Sequence, residues 1–544
     1  MLRIILFSSL LILTQCQMLK KEQVELLVKD ATVYTVDSSF TVVESFVVKD
    51  GKILDTGSSA EMERKYDAKR AISLSGRFVY PGWNDAHCHF AGYAQSLNQV
   101  DLAGTGSVDE IIERCRAFAK TSPGGWITGR GWDQNDWEVM QFPDRETLDS
   151  VFPDTPVLLR RIDGHAGWAN TKALEMAGVD QNSRIDGGDV ILKNGAPSGI
   201  LIDNAIELVA RIIPEPGNEE ISAGLRRAQE NCFAVGLTSV SDAGLSTNMV
   251  RLIDTMQTDG RLKMRINAWL EPSESNFKEF IEKGVYQNDR LTIGTLKLYA
   301  DGALGSRGAR MIEPYSDDPD NRGLFVTDTT RLKELSMRAL ENNYQVAIHC
   351  IGDAANHEVL KIYAGLLKEG NDRRWRIEHA QIIAPSDFPL FGKYRIIPSV
   401  QSTHATSDMY WAEERLGAER MDGSYAYRTL LNELGWIPNG SDFPVEDINP
   451  LYGFYASVAR KDHTGYPEGG FLAEESLTRE EALRSMTTWA AKAAFEEDFK
   501  GSIEKGKLAD FVVTAEDIMT TEEINIPGVK VLMTFSGGEM VYSE

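Results

Sequence analysis

The sequence predicts an α/β fold: a TIM-type (β/α)8 barrel with one large insertion, plus a small composite β-sandwich built from both chain ends. Three observations carry this reading. The middle of the chain alternates short apolar runs with helical segments, the pattern of a parallel sheet. Eight such runs can be counted, most of them rich in Val, Ile and Leu without clean alternation, as strands covered on both faces require. Each chain end holds short hairpin strands too few to close a core alone, so the two ends are expected to pair.

Residues 1–16 read as an export signal. Arg3 precedes a mostly apolar run from Ile4 to Leu13, and Cys16 follows. That run is shorter than the ~20 residues a membrane-spanning helix needs, but it suits the core of a secretory signal. A cysteine just after such a core resembles a bacterial lipoprotein signal, although Gln15 stands where a small residue is usual. The expectation is an exported protein, held at the membrane by lipid on Cys16 or else secreted, with residues 17–25 as a tether.

Next come Val24 to Val36 and Ser45 to Thr56, with a hairpin signal at Asp50-Gly51. The C-terminus repeats the style in Ala509 to Thr514 and Val529 to Tyr542, with Gly537-Gly538 at the turn. The composite β-domain is therefore placed at 26–77 and 501–544, and the barrel at 78–500. Its strands are expected at Phe78–His87, Leu237–Asp242, Met264–Leu270, Thr295–Ala300, Gln345–His349, Trp375–His379, Arg395–Val400 and Trp436–Ser441. The gap after the first strand far exceeds the ~10–12 residues a crossover needs. It predicts an insertion over about 91–231, with strands of its own such as Trp126–Trp132 and Val157–Ile162.

Composition narrows the function. The charge is 57 Lys+Arg against 81 Asp+Glu, or −24, which argues against nucleic acid as a partner. Apolar residues at 42% and charged residues at 25% exclude a long disordered chain. Cys88, Cys115, Cys232 and Cys350 have no paired spacing and read as buried thiols. The histidines are more telling. His87 and His89 are two apart, so on a strand they face the same way and can converge on one ion. His349 and His379 end the fifth and sixth expected strands, Asp442 follows the eighth, and Lys297 lies in the fourth. In a parallel barrel all these strand ends open on one face, where active sites form.

The motifs Tyr80 to His89 (YPGWNDAHCH), Asp163 to Asn170 (DGHAGWAN), Lys297 to Leu304 (KLYADGAL), Ile348 to Asp353 (IHCIGD), Ile377 to Gln381 (IEHAQ), Ser399 to His404 (SVQSTH), Gly440 to Pro444 (GSDFP) and Gly501 to Asp510 (GSIEKGKLAD) together resemble the amidohydrolase superfamily. Within it they are most similar to the amidohydrolase 3 branch, the YtcJ-like group that includes N-substituted formamide deformylase. Ser402 stands where the family pattern has proline. The resemblance implies a metallo-dependent hydrolase barrel with ligands His87, His89, Lys297, His349, His379 and Asp442. Lys297 is either a carbamate bridging two ions or an ammonium beside one. Zinc suits such nitrogen and oxygen ligands, and iron or manganese would satisfy the same set. Asp442 is the implied general base and acid, while His165 and His404 lie near the pocket, where either can hold the substrate oxygen. The implied reaction is hydrolysis of a non-peptide carbon–nitrogen bond in a small amide, formamide or cyclic amide. An ester or lactone hydrolase with the same site, and a non-catalytic anchored solute-binding lipoprotein, are the alternatives. Trp132 and Trp137 are candidates for aromatic walls over the mouth. His357 and His463 are expected to be solvated.

Overall fold

The computed structural model describes residues 21–121, 125–214 and 217–544. The apolar run and Cys16 of the expected export signal lie outside them. No described helix is long and apolar enough to cross a membrane.

The barrel is built from β1 (Trp83–Cys88), β2 (Leu237–Leu245), β3 (Arg265–Leu270), β4 (Leu291–Tyr299), β5 (Gln345–Cys350), β6 (Arg376–His379) and β7 (Ile397–Ser399). These pair in sequential order, each parallel to the next. Helices return the chain between them and begin where the sequence caps them. Ser246 accepts from Met249 N ahead of Thr247–Thr258, and Asp328 caps Thr329–Glu341 in the same way.

The expected eighth strand, Trp436–Ser441, is not a strand. The segment Pro438–Asp442 nevertheless closes the ring. Val400 N donates to Pro438 O and Gly440 N to Val400 O on one side, while Ala86 N donates to Asn439 O and Asp442 N to His87 O on the other. Pro438 has no N–H for a regular ladder, and Asp442 sits at φ +60°, which ends extended pairing. Gly440 packs so closely that a Cβ there would lie 2.4 Å from His87 N.

The expected first strand, Phe78–His87, divides in two at Gly82. Phe78–Pro81 belongs to the sandwich, and Trp83–Cys88 belongs to the barrel. A Cβ at Gly82 would lie 2.3 Å from Thr238 Oγ1, so only glycine fits at this crossing.

The sandwich joins both chain ends. Phe511–Thr514 pairs antiparallel with Phe78–Pro81, which lies parallel to Thr32–Tyr34 in a six-stranded sheet. A four-stranded sheet faces it, and Val28, Phe46, Phe511 and Phe535 pack between them. Its first strand, Glu22–Lys29, begins inside the segment expected as a tether, because Val24 is buried in the fold.

The insertion is shorter than expected. Its six-stranded sheet runs from Val100 to Asp203 around its own core of Leu102, Trp132, Leu159 and Trp168. The helices Phe90–Ser96 and Asn218–Ala234, placed in it from sequence, pack on the barrel instead. Asn231 Nδ2 donates to Tyr93 Oη at 2.8 Å across their contact.

Barrel and sandwich are locked by one buried pair. Arg265 Nε and Nη2 donate to the two Asp510 oxygens at 2.6 and 2.9 Å. Burial alone would raise the Asp510 carboxyl, but the Arg265 charge outweighs it and holds the group below the usual range. The stability it contributes is therefore complete above the ordinary carboxyl pKa and is lost as pH falls below it. Asp510→Asn is expected to lower unfolding free energy by about 3 kcal/mol at neutral pH, since it leaves Arg265 buried without a counter-charge. Denaturant titrations of both proteins should show the gap narrowing at pH ~3, and a gap independent of pH would refute the ionic account.

Candidate active site

The end of β1 and the residue after it read Asp85-Ala86-His87-Cys88-His89, which sends both imidazoles toward one atom. His87 Nε2 and His89 Nε2 lie 3.4 and 3.3 Å from Asp442 Oδ1, which is buried with no hydrogen-bond partner. Two groups of ligand atoms, each within 4.8 Å of one another, meet here: His87, His89 and Asp442, and His379, His404 and Asp442. Burial, with Lys297 nearby, pushes His87 down to about 4 and holds His349 and His379 well below the usual imidazole range. Neutral imidazole nitrogens and an ionised carboxylate converge with little to satisfy them, and His379 Nδ1 is a further buried atom without a partner. A divalent cation with nitrogen and oxygen ligands supplies what this donor set lacks, so the residues fit the metal that the motifs imply.

The other expected ligands divide. Lys297 is 1% exposed, with Nζ 3.3 Å from His87 Nε2. Among the described residues no carboxylate lies within ion-pair distance of it, and burial pushes its amine down to about 8. His349 reaches the mouth, its ring 4.5 Å from that of His379, but its Nε2 turns to Gly302 O at 3.4 Å and it joins neither ligand group. His404, expected outside the metal set, is in one of them. It stands on the helix Ser402–Asp408, with Nδ1 3.0 Å from Glu446 Oε1 and Nε2 3.6 Å from Asp442 Oδ2. Burial would lower this imidazole, but the two carboxylates outweigh it and push it up to about 10. Ser402 does what proline cannot at the start of that helix: its N–H donates to Asn439 Oδ1 at 3.0 Å.

His165 projects from the turn after the insertion strand Val157–Arg161, with Nδ1 2.5 Å from Asp203 Oδ1 and its ring 5.2 Å from that of His349. Burial opposes protonation, and the Asp203 carboxylate prevails, so its pKa is raised. Both pocket histidines thus face the cavity as charged or readily charged donors.

The second layer was not read from sequence. His87 Nδ1 lies 2.5 Å from Glu378 Oε2, and Arg376 Nε donates to Glu378 Oε1 at 2.6 Å. Arg376 Nη2 also donates to Ala86 O and Ser399 Oγ at 2.8 and 2.6 Å. Burial would raise Glu378, but Arg376 and His87 hold it down at about 2. An ionised Glu378 accepts the Nδ1 proton and leaves His87 Nε2 with its lone pair free for a ligand. The available signal was the alternation Arg376, Glu378 within β6. Asp85 is a second such support, accepting from His87 N at 3.1 Å and Ser441 Oγ at 2.6 Å.

The mouth opens into a cavity of about 590 Å³, lined by His89, His379, His404 and Asp442 on the barrel side and by Arg130, Arg161 and His165 from the insertion. Neither Trp132 nor Trp137 lines the mouth. Trp132 and Trp137 are buried in the insertion, donating to Leu159 O and Thr105 O, and Trp411 lines the cavity instead. His463 packs on Tyr452, and His357 pairs with Asp387 at 2.9 Å.

Comparison with known proteins agrees with this geometry. The amidohydrolase family pattern matches residues 70–542. The chain is 34% identical over 95% of its length to Protein LONG AFTER FAR-RED 3 of Arabidopsis thaliana, covering 91% of that protein. It is 31% identical over 94% of its length to the putative amidohydrolase YtcJ of Bacillus subtilis, covering 98% of it. Identity to the N-substituted formamide deformylase of Arthrobacter pascens is 25%, over 95% of this chain and 98% of that one. A metal-dependent hydrolase from Pyrococcus horikoshii superposes with a TM-score of 0.75 at 28% identity, over 92% of this chain and 99% of the other. The chain therefore belongs to the amidohydrolase family.

Proposed function

We propose that the protein hydrolyses a non-peptide carbon–nitrogen bond, in an amide, formamide or cyclic amide, of a small molecule. The observation that carries this reading is Asp442. It is shared by both ligand groups and lines the cavity at the barrel mouth. The name of the Arthrobacter pascens relative points to the same bond type.

His87, His89, His379 and Asp442 would hold a divalent cation, zinc in our reading, with Lys297 and His349 beside them. Such an ion acidifies water and polarises a carbonyl. The chain's own residues do the rest. Glu378 keeps His87 in the ligating tautomer. Asp442, held ionised by the surrounding imidazoles, takes the proton of the attacking water and delivers it to the leaving nitrogen. His404 and His165 face the cavity as donors to the oxygen that gains charge at the carbonyl. Lys297, buried and with no carboxylate partner among the described residues, has the depressed amine that CO₂ addition requires, and we read it as a carbamate.

Metal analysis of purified protein, followed by a hydrolysis panel of formamides, N-acyl amines and cyclic amides, tests the proposal. At least one metal per chain is expected. Turnover should fall about 10³-fold on chelation and return with zinc. Metal-loaded protein that binds panel members without hydrolysing any would overturn the catalytic reading in favour of a solute-binding one.

A further inference from the structure

The insertion brings three arginines to the cavity wall, and they are not equivalent. Arg161 is held between Asp133 and Asp163, and Arg160 lies 3.1 Å from Glu207 Oε1. Arg130, on the strand Ile127–Trp132, has no carboxylate within 4 Å among the described residues. Its Nη2 donates to Ile162 O at 2.8 Å, while Nε is buried with no hydrogen-bond partner. Gly164 closes over the guanidinium, leaving so little room that a Cβ there would lie 3.3 Å from Nη2. Asp163, the adjacent acid, is already committed to Arg161 Nη1 at 2.5 Å and to His165 N at 2.9 Å.

A half-buried guanidinium cannot shed its proton, and without a counter-ion it destabilises the fold. We propose that the counter-ion arrives with the substrate: the amide hydrolysed here carries a carboxylate, and Arg130 binds it while the scissile carbonyl lies at the metal ligands. This rests on the hydrolase reading of the same cavity. A single planar guanidinium matches a planar monoanion through paired N–H donors. A phosphate dianion would call for further free cations, whereas the neighbouring Arg160 and Arg161 are already paired with Glu207, Asp133 and Asp163. Arg130 would thus set which amides enter, while the barrel residues carry out the chemistry.

Two matched substrate pairs test the idea. One is N-formylphenylalanine against N-formylphenylalaninamide, with the acid on the amine side. The other is N-phenethylsuccinamate against N-phenethylsuccinamide, with the acid on the acyl side. The wild-type enzyme is expected to favour the acidic member of at least one pair in kcat/KM. Arg130→Met should lower that acid-to-neutral ratio about 100-fold, with Tm unchanged or raised, because an unpaired buried charge has been removed. Arg130→Gln keeps a donor for Ile162 O and gives the same reading if the methionine variant does not fold. No acidic preference in the wild type, or a ratio unmoved by either substitution, overturns the proposal. If no member is hydrolysed, calorimetric binding of the same pairs to metal-loaded protein separates the two claims. Arg130-dependent preference for the acid then upholds this inference while the hydrolase reading fails, and its absence sinks both.

Discussion

Asp442→Asn is expected to leave a folded protein that has lost about three to four orders of magnitude in kcat. Asparagine preserves the volume, and it tolerates the left-handed backbone that Asp442 adopts at φ +60°. Alanine there would add backbone strain to the loss of the carboxylate and confuse the result. The substitution removes the one oxygen-donor side chain common to both ligand groups and the only proposed acceptor for the water proton. Metal content per chain should fall with activity, whereas the denaturation midpoint of the metal-free protein should move little. A variant retaining a tenth of wild-type kcat on any substrate of the panel would remove Asp442 from the mechanism.

The second large effect is expected at Glu378, which touches no substrate. Glu378→Ala leaves Arg376, fully buried, without its counter-charge and His87 without the acceptor that fixes its tautomer. The unpaired cation alone should cost about 3–5 kcal/mol in urea unfolding of the metal-free protein. The freed imidazole should weaken metal affinity about 10–100-fold, read by competition with a chelator. A purely structural role would move the first measurement and not the second. Pairing Glu378→Gln with Arg376→Met should recover part of the stability, because both charges then leave together. A double variant no better than the sum of its singles would argue against the ionic coupling.

Much of the site was legible because strand geometry places residues two apart on one side. His87 and His89 needed only that rule, and Asp442 only its position after the eighth run. What escaped depends on directions that spacing does not encode. His349 stays out of both ligand groups because its Nε2 turns to Gly302 O, and His404 enters one of them because Glu446, from another loop, steers its ring. Glu378 and Arg376 lie in a motif already singled out, yet nothing local shows that their charges meet inside the barrel. Arg130 is left without a carboxylate because Asp133 and Asp163 serve Arg161 instead, and spacing does not encode that choice. The eighth strand and Gly82 failed for steric reasons: a proline without an N–H, and a contact with Thr238 that no other residue survives. Trp132 and Trp137 show the converse, since large aromatics in an inserted sheet filled its core before they could line a mouth.

The pairing of Phe78–Pro81 with Phe511–Thr514 also sets a timetable for biosynthesis. The ribosome releases the first of these strands long before the second exists. Throughout synthesis of the barrel, one edge of the N-terminal sheet stays open, and an open edge is a template for the wrong neighbour. The sandwich can close only when the last strands emerge, so its completion reports that the whole barrel between them has been made. Any nascent chain cut short before residue 511 carries that edge unpaired, which marks it physically as unfinished.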